Sequence, residues 1–236
     1  MFSKVFLAQT YREMEQFPQQ NTAYMACHFS PYSKGLSNIP PYLPKGSILL
    51  LDDSMPAQEH DTELVVRQLT ELIQQFPVKA ILLDFQGAKN APCESMVDAI
   101  LQDVPCPIAV TLLYAENRNC PVLIPPCPVN VPLQKHLAPW LKQGVFLEIG
   151  TECAEITVTQ EKSTCTTLPF GKEKVLPLTE PKLHCHYHVE VSSEKAVFTL
   201  QRTLEDLASL TEEALQLCVQ GVVGLFQELN PSFTQE

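Results

Sequence analysis

Short, almost continuous apolar runs recur along the chain at Ser47–Asp53, Lys79–Phe85, Pro107–Tyr114, Val145–Ile149 and Gly221–Glu228. Runs of this length without polar alternation read as strands buried on both faces, the habit of parallel sheets. Parallel neighbours need crossover connections, and helical periods lie between the runs. Leu64, Val65, Leu69, Leu72, Ile73 and Phe76 share one helical face behind Asp61, a suitable cap. Met96, Val97, Ile100 and Leu101 predict a shorter helix, and Leu133–Leu141 a third that Pro139 limits. Thr203–Asp206 has the form of a capping box before the apolar face of Leu204, Leu207, Leu210, Ala214, Leu217 and Cys218.

Other stretches break this alternation. Residues 30–46 are rich in Pro, Ser and Gly, so a strand near Tyr24–Phe29 reaches Ser47 through a long loop. Only Ala115–Cys120 separates Tyr114 from Pro121–Ile124, which predicts an antiparallel or irregular segment there. Ile156–Thr159, Thr164–Leu168, Leu183–Val191 and Ala196–Leu200 all read as strands, making a β-rich insertion at about 153–200. With about eight candidate strands for a ring, the expectation is a distorted or incomplete (β/α)8 TIM-like barrel spanning one α/β domain, residues 1–236. The alternative is an open, mostly parallel α/β sheet.

Composition narrows the function classes. Apolar residues make up 45% of the 236 and charged residues 18%, enough to build a core. A net charge of −11 without a basic cluster argues against nucleic acid as a partner. No window approaches a membrane span, and the first residues lack a secretory apolar run. Nine cysteines with no C-x-x-C pair suit small buried thiols in a reducing cytoplasm. No glycine-rich phosphate loop and no G-x-S-x-G elbow is present, and no cofactor is implied.

Polar residues that close an apolar run carry the most functional information, because ligands bind beyond the carboxyl ends of parallel strands. His28, Asp52, Asp53, Asp84, Gln86, Tyr114, Glu116, Glu148, Gln227 and Glu228 hold such places. Alternation puts Ala80, Leu82, Asp84 and Gln86 on one strand face, with Ile81, Leu83 and Phe85 on the other. Asp53, Asp84, Glu148 and Glu228 could then meet in one acidic mouth, where close carboxylates separate one another's pKa values into an acid and a base. The other reading of these residues is that they merely end strands at solvent.

The segment Lys79-Ala80-Ile81-Leu82-Leu83-Asp84-Phe85-Gln86 resembles the D-G-x-D-x-D-x-E strand motif of family-18 glycosidases. Asp84, the following aromatic and the apolar spacing match; Leu82 replaces an Asp, and Gln86 stands where the family's proton-donating Glu would be. The resemblance implies a barrel that hydrolyses a carbohydrate-like substrate, or a degenerate relative that only binds one. An amide can hydrogen-bond a hydroxyl but cannot titrate, so binding survives that exchange more readily than hydrolysis. In this reading Glu148 or Glu228 is the acid/base with Asp84 beside it, and Asp53, Gln86, Tyr114, Gln227 and His28 contact the ligand.

Two alternatives remain open. A non-enzymatic interaction protein would leave the strand-end carboxylates apart. A metal-dependent hydrolase would use His184, His186 and His188, which alternate along one strand and need carboxylate ligands from neighbours. The proline-rich Ile124–Pro132 could wall a pocket or be a plain surface loop. Tyr32, Asn38 and Tyr42 could supply aromatic walls, and Cys27 beside His28 a nucleophile and base.

Overall fold

The computed structural model of the protein describes residues 4–19, 21–54, 60–169 and 176–233, with side chains up to residue 229. Eight parallel strands form a closed ring: β1 (Val5–Gln9), β2 (Thr22–Phe29), β4 (Ile48–Asp52), β5 (Ala80–Asp84), β6 (Ile108–Thr111), β7 (Val122–Ile124), β8 (Val145–Ile149) and β14 (Gly221–Leu225). Pairing of β1 with both β2 and β14 closes it. The short β3 (Leu36–Ser37) adds antiparallel to β2, so the loop expected at 30–46 contains a strand. The TIM-like barrel is therefore complete in strand number, and the open-sheet alternative is excluded.

Crossovers follow the apolar periods. Helices α1 (Tyr11–Gln16), α2 (Thr62–Gln75), α3 (Ala91–Asp103), α4 (Leu112–Ala115), α5 (Leu133–Leu137), α6 (Leu204–Gln216) and α7 (Phe226–Phe233) alternate with the strands. Asp61 and Asn90 accept backbone N–H bonds at the starts of α2 and α3, and Thr203 with Asp206 forms a capping box on α6. The expected antiparallel turn after Tyr114 is overturned: β7 runs parallel to β6 and β8. The single turn of α4 reverses the chain, so a full crossover helix is not needed.

Strand alternation divides the core in two. Phe6, Ala8, Ile48, Leu50, Ala80, Leu82, Ala109, Leu123, Phe146 and Val223 fill the barrel interior. Leu49, Leu51, Ile81, Leu83, Phe85, Val110 and Leu147 point outward into the larger core beneath the helices. A five-stranded antiparallel sheet is inserted between β8 and α6: β9 (Glu152–Thr159), β10 (Ser163–Leu168), β11 (Leu178–Glu180), β12 (Cys185–Val191) and β13 (Lys195–Arg202), in the order β10-β9-β13-β12-β11. Its root is fixed by Arg202, 1% exposed, whose guanidinium donates to the carbonyls of Cys127, Leu183 and His184 and lies 3.5 Å from Glu152. One planar fork thus ties the proline-rich segment after β7 to β9 and to the turn that precedes β12.

Candidate functional site

The ends of inward-facing rows come together at the carboxyl-terminal mouth. Ile48 and Leu50 lead to Asp52, and Ala80 and Leu82 lead to Asp84; Asp52 and Asp84 are register partners on adjacent strands. Phe146 leads to Glu148, on the third strand round the ring from β5. A cavity of about 400 Å³ lies over them, walled by Met25, Leu50, Pro126, Val223 and the carboxylates of Asp52, Asp84, Glu148, Glu152 and Glu228. A neighbouring hollow of about 330 Å³ is lined by Gln86, Thr111, Leu112, Leu113, Pro125 and Pro126. Asp84, Glu148 and Pro126 border both, so the two carboxyls stand at the junction of a two-lobed cleft.

Burial dominates the electrostatics. Desolvation lifts the Glu148 carboxyl from 4.5 to about 7, and the charge of Asp84 adds to the effect. Burial also raises Asp84, with Asp52 and Asp53 contributing, while a hydrogen bond from Gln86 opposes the shift. That bond, Gln86 Nε2 to Asp84 Oδ1, is 2.8 Å long. Glu152 is raised by burial against the pull of Arg202. Near neutral pH, then, Glu148 retains a proton to donate, beside an Asp84 whose own carboxyl burial also shifts upward.

The remaining candidate residues take other places. Asp53 points away from the mouth row, one residue out of phase with Asp52. Its two oxygens accept the backbone N–H groups of Gln86 and Gly87 at 2.9 Å each, so it shapes the turn that carries Gln86. Tyr114 lies on α4, not on a strand end; it is fully buried and packs edge-on to Phe85 in the outer core. Gln227 and Glu228 lie in the first turn of α7, because β14 stops at Leu225. Gln227 donates to Glu13 of α1, whereas Glu228 accepts the Thr151 N–H at 3.2 Å and lines the cavity. His28 is the register partner of Asp52, and its Nδ1 donates to the Ala26 carbonyl.

The histidine series is split among separate partners. His184 precedes β12 with φ +48° and binds Ser209 and Glu213 of α6; His186 binds Asp206 at 3.0 Å; His188 is 3.9 Å from Glu190. No group of three or more potential ligands among the described residues is placed to hold a metal ion. Cys27 is fully buried and its thiol is pushed up to about 12, which removes the thiolate a nucleophile needs. Tyr32 and Tyr42 are exposed, and Tyr42 packs on Phe76, outside either cleft lining.

Thr151, Glu152 and Asp52 contribute to the lining without having been assigned roles from sequence. For Asp52 the signal was available in the period-two phase of Ile48 and Leu50. Glu152 had none, since its position depends on the insertion and on Arg202.

No protein-family model matches the sequence, and no curated protein matches it significantly. Solved structures do match in fold. A glycoside hydrolase family 18 N-acetylglucosaminidase from Paenibacillus barengoltzii superposes with a TM-score of 0.54 at 5% identity, covering 98% of this chain and 99% of that one. A chitinase from Chromobacterium violaceum gives 0.53 at 8%, covering 99% of each. Human YKL-39, described as a pseudo-chitinase with retained chitooligosaccharide binding, gives 0.51 at 8%, covering 96% of this chain and 95% of its own. The chain thus has a glycosidase-like barrel, a fold that catalytic and non-catalytic proteins share.

Proposed function

We propose that the protein binds a carbohydrate-like ligand in the two-lobed cleft at the barrel mouth, with Asp84 and Glu148 at its centre. The observation that carries this reading is the pairing of those carboxyls at the junction of two hollows, on strands whose other inward residues are apolar. Apolar walls with a few convergent polar groups suit a sugar, which presents both C–H faces and hydroxyls. Gln86, in the place of the family-18 acid, is positioned by its bond to Asp84 and keeps one amide function for a hydroxyl. One of the similar structures, human YKL-39, is described as retaining chitooligosaccharide binding, which supports the same class of ligand.

A second reading, hydrolysis with Glu148 as the acid, is favoured by one observation: its carboxyl titrates at about 7, where a general acid works best. The nine cysteines are all thiols, which supports a reducing compartment such as the cytoplasm. No helix among the described residues is long and apolar enough to cross a membrane.

Calorimetry with a panel of hexosamine and hexose oligosaccharides tests the binding, with Asp84→Ala as the control. Binding by the wild type and its loss in the variant are expected. An absence of binding across the panel, or full affinity in a folded Asp84→Ala protein, would overturn the proposal. For hydrolysis, release of reducing ends by the wild type and its abolition in Glu148→Gln are expected.

A further inference from the structure

The two lobes of the cleft differ in charge. Asp52, Asp84, Glu148, Glu152 and Glu228 line the first, and no lysine, arginine or histidine among the described residues joins them. Among the described residues only Glu152 of these is ion-paired, with the buried Arg202 at 3.5 Å. The second lobe adds no further charged side chain; its own polar groups are Gln86 and Thr111. Among the described residues Glu148 has no hydrogen-bonding or ion-pairing partner, although burial raises its pKa and so penalises its charge.

A neutral ligand would leave these carboxyls to relieve their mutual repulsion by taking up protons, the direction in which Asp84, Glu148 and Glu152 are already shifted. A ligand bearing an ammonium group would relieve it, because each charge-assisted N–H···O⁻ bond replaces lost hydration and offsets a neighbouring negative charge. The carboxylates also sit against Met25, Leu50, Val223 and Leu225, apolar surface that suits a pyranose ring face.

Resting on the carbohydrate reading above, we propose that the ligand is a glycan containing free, cationic amino sugars. The ammonium-bearing residue occupies the acidic lobe, and a neutral sugar occupies the lobe of Gln86 and Thr111. This selects against a fully N-acetylated chain, whose amides carry no charge.

The test compares a β-linked glucosamine tetrasaccharide with its fully N-acetylated counterpart and with a glucose tetrasaccharide, by calorimetry on the full chain. The glucosamine tetramer is expected to bind about tenfold or more tightly than either, as a few part-buried charge contacts allow. Its advantage should shrink as salt is raised, since screening acts on the charged ligand alone. Asp52→Asn and Glu228→Gln should each weaken the glucosamine tetramer by a larger factor than the glucose tetramer. Equal or tighter binding of the acetylated or glucose tetramer overturns the amino-sugar proposal while leaving the carbohydrate reading standing. Failure of all three tetramers and of the wider panel overturns both. The wild-type comparison decides the question even if a variant does not fold.

Discussion

The side-chain amide of Gln86 donates to Oδ1 of Asp84 at 2.8 Å, and the two residues lie two apart on the barrel's fourth strand and its extension. The bond holds Asp84 towards its ionised form, in opposition to burial. Gln86→Glu replaces the donor with a second carboxylate, so the pair must share a proton or repel. A carboxyl whose pKa is raised by folding loses stability as pH rises. The variant is therefore expected to match the wild type at acid pH and to fall below it near neutrality. Denaturant midpoints across that range measure the difference. The same substitution supplies a titratable acid at the family-18 position, and reducing-end release is expected to rise by on the order of 10²-fold, the lower end of a general acid's contribution.

Glu148 gives a stability prediction with a definite sign. Its folded pKa of about 7 stands above the ordinary 4.5, so the folded protein binds the proton more tightly than the unfolded chain. Stability from this group is present below pH 4.5 and is lost as pH rises to about 7. The loss integrates to about 3 kcal/mol at most. Glu148→Gln removes the titration while retaining the shape, and should flatten the pH dependence and stabilise the protein at neutral pH. Urea unfolding at both ends of the range checks it; an unchanged slope would place the pKa elsewhere.

The half-buried carboxyls at the mouth were legible in sequence because strand alternation is local. Ala80, Leu82 and Asp84, and Phe146 and Glu148, take the faces that period two assigns them. The choice between Asp52 and Asp53 was a question of phase, which Ile48 and Leu50 settle only once the inward face is known. Tyr114, Gln227 and Glu228 were misplaced for another reason: β6 and β14 pass directly into α4 and α7, and the apolar run does not mark the change of period. Strand β1 carries only Val5-Phe-Leu-Ala-Gln9, and its importance comes from closing the ring between β2 and β14, pairings far apart in sequence. The junction of Arg202 with Cys127 and Glu152 is likewise nonlocal, so no window contains it.

Tyr114 separates packing from ligand contact. Its ring is fully buried against Phe85, and among the described residues its hydroxyl has no partner at good hydrogen-bonding geometry, although Cys93 and the Asn90 backbone are close enough to perturb it. A buried hydroxyl that has lost water without a well-formed hydrogen bond in return costs up to about 1–3 kcal/mol. Tyr114→Phe keeps the ring contact and removes the cost, so it should be neutral or stabilising and should leave ligand affinity unchanged. A marked loss of affinity with the fold intact would instead return Tyr114 to the site. Thermal melts and calorimetry on the one variant distinguish these outcomes.

Arg202 is the opposite case, a buried polar group whose partners are all supplied. Arg202→Met preserves much of the volume but leaves the carbonyls of Cys127, Leu183 and His184 without their donor, and Glu152 without its cation. Breaking a buried network from one side costs about 3–5 kcal/mol. Arg202→Lys should recover less than half, since one ammonium cannot reach three carbonyls spread around a planar fork. Because Pro126 and Glu152 border the cleft from the two segments that Arg202 joins, affinity should fall even where the protein stays folded. Urea unfolding and ligand titration of both variants measure the two effects separately. A loss of stability with unchanged affinity would show that the insertion's root is independent of the cleft; a parallel loss, graded from Lys to Met, would show that the guanidinium sets the position of the cleft wall.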